Sequence, residues 1–161
     1  MMNEKISVKI NINGVITRGF VEPRQHLVDF LRDECALKGP HLGCEQGACG
    51  ACTVMLNGQI VRGCLVLTIQ ADQKEIQTIE GLTKSGAIKD LQDAFLKHNA
   101  FQCGFCTSGM LLTAAELLKV NPTASREEVR EWISGNYCRC TGYHAIVDAI
   151  CSVISARQIA D

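Results

Sequence analysis

The chain of 161 residues carries ten cysteines, at positions 35, 44, 49, 52, 64, 103, 106, 138, 140 and 151. Their spacing constrains the fold more than any other feature, because clustered thiols must meet either each other or a metal. A disulfide scaffold belongs to oxidising compartments, whereas clustered cysteines in a reducing cytosol read as metal ligands or redox groups. The N-terminus favours the second case. Met1-Met2-Asn3-Glu4-Lys5 leads into alternating Ile6, Val8, Ile10 and Ile12 rather than the continuous apolar run of a signal peptide. No apolar stretch is long enough to span a bilayer, so a cytoplasmic location is expected. The net charge of −1 comes without a basic run, which argues against a nucleic-acid partner.

The chain changes period half-way. Ile6 to Ile12 alternate as a half-buried strand does. Asn13-Gly14 is a two-residue hairpin turn, because both positions tolerate positive φ, and Val15 to Val21 would return as a second strand. Leu27, Phe30, Leu31 and Glu34 follow helical spacing. Thr53 to Leu56, a turn at Asn57-Gly58 and Ile60-Val61 read as another hairpin, and Glu75 to Ile79 as a last strand. Beyond residue 80 the period is helical. Ile88, Leu91, Phe95 and Leu96 mark one face; Met110, Leu111, Ala114, Leu117 and Leu118 mark another, stopped by Asn121-Pro122. Ser125 and Glu128 form a capping box ahead of Val129 to Ile133. Ile146, Val147, Ile150, Val153 and Ile154 mark a final helix. The expectation is an α+β chain: residues 1–80 as a module of strands around a helix, residues 81–161 as a bundle of about four helices, and Gly81 to Gly86 as the linker.

The first cysteine set is Cys44, Cys49, Cys52 and Cys64. Cys-x4-Cys-x2-Cys with a distant fourth cysteine is the spacing of plant-type [2Fe–2S] sites. Three thiolates on one tight loop wrap a cluster, and the fourth closes the cage from a rigid element. Gly43, Gly47 and Gly50 let the loop curl so that backbone N–H groups face the anionic sulfurs. A zinc site normally uses two similar Cys-x2-4-Cys hooks, which this loop does not. The second set is Cys103, Cys106, Cys138 and Cys140, a Cys-x2-Cys at the start of one helix and a Cys-x-Cys just before another. A helix N-terminus suits an anionic cluster. Alone, Cys-x2-Cys also fits a redox pair or a zinc hook; beside Cys-x-Cys and the first set it points to a second cluster.

Cys35 and Cys151 are left over and read as small buried hydrophobes. His26, His41, His98 and His144 could suggest a Rieske-type site, but eight thiols already fill two clusters, so the histidines are read as structural or solvated. There is no nucleophile elbow and no HExxH. A chain with clusters and no substrate chemistry of its own passes electrons between partners.

GCEQGACGACTV, QCGFCTSGM and GNYCRCTGY resemble the iron–sulfur subunit or domain of the molybdenum hydroxylases, which include xanthine dehydrogenase, carbon monoxide dehydrogenase, 4-hydroxybenzoyl-CoA reductase and bacterial dehydrogenases of N-heterocycles. The likeness runs from the first strand to the last helix. It implies an N-terminal ferredoxin-like β-grasp module followed by a C-terminal four-helix [2Fe–2S] bundle. It implies a relay between a large molybdopterin subunit, carrying the cofactor as cytosine dinucleotide, and a medium FAD subunit, in a dimer of heterotrimers. By the same resemblance, the cluster on Cys103, Cys106, Cys138 and Cys140 lies next to molybdenum, and the one on Cys44, Cys49, Cys52 and Cys64 lies nearer FAD. Gln102 matches a glutamine that hydrogen-bonds the pterin, and Cys140 a ligand whose surroundings touch it. One departure is Ser108, which stands where the family usually has proline. The end of the chain near Asp161, with no fused flavin or molybdenum domain, leads to the expectation of a separate small subunit. Two rivals stand beside this reading: a free-standing two-cluster ferredoxin, which the near-neutral charge weakens, and a zinc-binding structural module.

Overall fold

Two Asn-Gly turns organise the first half of the computed structural model, which describes residues 5–160. Asn13 and Gly14 adopt φ of 52° and 83°, and Asn57 and Gly58 adopt 49° and 82°. Both are left-handed pairs that reverse the chain without splaying the strands. The first turn joins β1 (Ile6–Ile12) to β2 (Val15–Val21), and the second joins β3 (Thr53–Leu56) to β4 (Gln59–Arg62). A short β5 (Glu75–Gln77) pairs parallel to β1 and antiparallel to β3, which fuses the hairpins into one sheet of order β2-β1-β5-β3-β4.

The alternation in β1 resolves as expected, with Val8, Ile10 and Ile12 buried. In β2 only Val21 is buried, and Phe20 is 67% exposed, because β2 is an edge strand. The helix expected after it is one turn, α1 (Leu27–Asp29), continued by a wider π-helical turn over Phe30–Glu34. Cys35 N–H closes that turn on the Phe30 carbonyl at 3.1 Å. Leu27, Phe30 and Leu31 face the sheet and join Val8, Ile10 and Ile76 in one core.

The expected linker is helical. α2 (Ile79–Ser85) begins after Thr78 and ends at Gly86, whose φ of 75° supplies a left-handed C-cap. Gly81 belongs to packing rather than flexibility: a Cβ there would fall 2.1 Å from the Asn13 carboxamide oxygen. Asn13 also accepts from Thr78 N–H at 2.8 Å, so the first hairpin turn anchors the start of α2. Ile79 and Leu82 pack on a second core, built by α3 (Lys89–Lys97), α4 (Thr107–Val120), α5 (Arg126–Trp132) and α6 (His144–Ala160). Leu96, expected on the buried face of α3, is 62% exposed, because the face is set by Leu91, Ala94 and Phe95. The capping box at Ser125 forms as read, with Ser125 N–H donating to Glu128 at 2.7 Å and Glu128 N–H to Ser125 at 3.3 Å. α4 also lies against β3 and β4, so the chain is α+β with its two cores in contact. Among the described residues, no helix is long and apolar enough to cross a membrane.

Candidate metal centre

The first four thiols gather at one end of the sheet. Cys52 immediately precedes β3, and Cys64 follows β4 by two residues. Gly63 N–H donates to the Cys52 carbonyl at 3.1 Å, and both thiols are buried beside Val28. Cys44 and Cys49 lie on the more exposed preceding loop, where Glu45 and Gly47 take φ of 56° and 78°. Backbone N–H groups of Gln46, Cys49 and Ala48 point at the Cys44 sulfur and hold its thiol down to about 6. Burial has the opposite effect on Cys52, whose thiol is pushed up to about 11.

The second set gathers at the N-terminus of α4. Cys106 is buried and caps that helix, while Cys103 is exposed beyond the left-handed Gly104. Cys138 and Cys140 reach the same place from the segment before α6. Tyr143, at φ 70°, turns its ring back so that its hydroxyl accepts from Cys138 N–H at 2.8 Å and donates to the Asn136 carbonyl at 3.3 Å. Burial pushes the Cys106 thiol up to about 12. Burial also acts upward on Cys138, but the Thr141 hydroxyl 3.1 Å from its sulfur and backbone N–H groups bring it below the ordinary thiol range.

The thiols come in pairs. Cys44 sits against Cys49, Cys52 against Cys64, Cys103 against Cys140 at 3.6 Å between sulfurs, and Cys106 against Cys138. Among the described residues, no three His, Cys, Asp or Glu side chains converge as a mononuclear ion requires. Four thiolates as two pairs suit a cluster in which each of two irons takes two cysteines. In the second set, the Thr107 hydroxyl oxygen is buried without a hydrogen-bond partner beside Cys106, so an acceptor such as a cluster sulfide fits there. The residues therefore fit [2Fe–2S] groups.

One part of the site was not visible in the cysteine spacing. Tyr137 N–H donates to the Cys49 carbonyl at 2.8 Å, which links the two loops directly. Asn136, 1% exposed, donates through its amide to the Gly50 carbonyl at 3.2 Å and accepts from Thr113 at 3.0 Å and Arg62 at 3.3 Å. Helix α4 meets the first loop so closely that a Cβ on Gly109 would fall 2.3 Å from the Gly50 carbonyl. Asn136 and Arg62 lie 74 residues apart, and only the conspicuous run GNYCRC hinted at the first of them.

The remaining sequence candidates find partners. Gln102 is exposed and donates from its amide to the Cys140 carbonyl at 3.0 Å. Ser108, in the first turn of α4, donates to the Gly39 carbonyl at 2.6 Å and lies 3.4 Å from His41 Nδ1. His41 stacks on Phe105 with ring centroids 4.6 Å apart. Cys35 and Cys151 are half-buried rather than fully buried, each packed at the margin of a core.

Both halves match known families: a 2Fe-2S iron-sulfur cluster binding domain over residues 40–94, and a [2Fe-2S] binding domain over residues 78–151. The nicotine 6-hydroxylase small subunit of Paenarthrobacter nicotinovorans is 47% identical over 148 residues, covering 92% of this chain and 89% of the relative. The chain belongs to the iron–sulfur small subunits of the molybdenum hydroxylase family. Solved structures share the fold. A chain of quinoline 2-oxidoreductase from Pseudomonas putida 86 superposes with a TM-score of 0.90 at 48% identity, covering 97% of this chain and 98% of that one. The aldehyde oxidoreductase of Desulfovibrio gigas superposes at 0.87 and 40% identity, covering 97% of this chain and 18% of that much longer one. The small subunit is thus an iron–sulfur enzyme component with an electron-transfer role.

Proposed function

We infer that the small subunit holds two [2Fe–2S] clusters, on Cys44, Cys49, Cys52 and Cys64 and on Cys103, Cys106, Cys138 and Cys140. It relays electrons from a large molybdopterin subunit to a medium FAD subunit, in a cytoplasmic dimer of heterotrimers. A ferredoxin-like β-grasp module over residues 1–80 carries the first site, and a four-helix module over residues 81–161 carries the second. The observation that carries this reading is the pairing of all eight thiols around two points joined by the Tyr137–Cys49 hydrogen bond. When bound, the clusters supply one-electron acceptors and donors. The chain supplies the rest.

In each site one pair is inner and one outer. Cys103 and Cys140 are exposed and suit a contact with the molybdenum cofactor; Cys44 and Cys49 are half-exposed and suit an exit towards flavin. Gln102 already spends one amide donor on Cys140, which fixes its orientation. Its second N–H and its carbonyl oxygen remain for a pterin edge. Its role is to hold Cys140 and the cofactor in register.

Rapid-mixing EPR of the assembled enzyme tests this order. In Gln102→Ala, both clusters should stay bound and substrate should still reduce molybdenum, while reduction of the C-terminal cluster slows. Unchanged transfer would remove Gln102 from the contact. Reduction of the N-terminal cluster without the C-terminal one would reverse the order.

A further inference from the structure

Arg62 hydrogen-bonds residues beside both cysteine sets. It ends β4, two residues before Cys64, and its side chain is half-buried. One guanidinium nitrogen donates to the hydroxyl of Thr53, the residue after Cys52. The other donates to the Gly135 carbonyl at 2.8 Å and to the Asn136 carboxamide oxygen at 3.3 Å, just before Tyr137 and Cys138. Asn136 in turn donates to the carbonyl of Gly50, the residue after Cys49. The guanidinium is thus held by neighbours of ligands from both sets.

Every acceptor around it is neutral. Among the described residues, no carboxylate forms an ion pair with Arg62. Removing a guanidinium from water without an opposite charge is costly. Iron–sulfur clusters ligated by four thiolates are anionic, and reduction adds one more negative charge to each. Hydrogen bonding, net charge and solvent exposure are the levers that set their potentials.

We propose that Arg62 is the shared counter-charge of the two clusters, a positioning and tuning residue that raises both reduction potentials together. Asn136 orients it, since one carboxamide oxygen accepts from both Arg62 and Thr113. The inference rests on the two-cluster reading given above.

The test is an anaerobic dithionite titration of the cluster-loaded full chain, followed by EPR, in which each cluster takes one electron as dithionite is oxidised. Arg62→Gln should lower both midpoint potentials, by about tenfold in the reduction equilibrium, which for one electron is about 59 mV. Arg62→Lys keeps the charge and should restore most of the shift. Unchanged potentials in Arg62→Gln with both clusters bound would overturn the proposal. So would an equal fall in Arg62→Lys, which would make the role one of shape rather than charge. If Arg62→Gln fails to hold its iron, Asn136→Ala decides, because it adds no charge and frees the guanidinium from the oxygen that orients it. A fall in both potentials supports the proposal and unmoved potentials overturn it. A single EPR signal in the wild-type chain would overturn the two-cluster reading and this inference with it, whereas two signals with unmoved potentials overturn this inference alone.

Discussion

The backbone N–H of Tyr137 donates to the carbonyl of Cys49 at 2.8 Å. Cys49 belongs to one thiol set, and Tyr137 adjoins Cys138 of the other. A covalent and hydrogen-bonded route between the sets therefore crosses one hydrogen bond. Tyr137→Pro deletes this donor. Asn136 before it has φ −118° and ψ 108°, the extended conformation a residue preceding proline adopts. The variant should keep both clusters and slow transfer between them in rapid-mixing EPR. Unaltered transfer with both clusters present would show that the route lies elsewhere.

Ser108 ties the two halves. Its hydroxyl reaches the Gly39 carbonyl across 69 residues of sequence at 2.6 Å, so this serine adds a tether. Ser108→Ala should cost about 1 kcal/mol, the net worth of one hydrogen bond. That corresponds to a fall of about 2–4 °C in Tm for a chain of this size. Calorimetry of the loaded protein checks it, and an unchanged Tm would show that the tether contributes nothing.

Cys35 should resist alkylation. Burial, then the neighbouring Glu34 carboxylate, push its thiol from 9.0 to about 11, and the thiolate is the nucleophile. Because the folded pKa is the higher one, the folded state favours the protonated form. This contribution to stability is present below the unfolded value and is lost as pH rises from about 9 towards about 11. Mass spectrometry after iodoacetamide treatment of the loaded protein at pH 8 should find Cys35 largely unmodified, with modification rising steeply above pH 10. Rapid labelling at pH 8 would contradict the protected environment.

Local signals carried most of the elements. Asn13-Gly14 and Asn57-Gly58 fixed both hairpins, and Ser125 with Glu128 fixed the start of α5, because each depends on residues close in sequence. Gly81 misled, since a glycine demanded by close packing against Asn13 looks in sequence like a glycine of a linker. Leu96 misled because α3 buries a narrower face than its apolar residues allow. The thiol sets were legible from spacing, but their pairing and the joining of the two loops through Arg62, Asn136 and Tyr137 were not. Those contacts span long stretches of chain and leave no periodic pattern.

The central claim, that eight thiols hold two [2Fe–2S] clusters, is tested most directly by metal and acid-labile sulfide analysis of the natively purified subunit. About four irons and about four sulfides per chain are expected, with visible absorption, from four thiolates per cluster. Stoichiometric zinc in a colourless protein would contradict it.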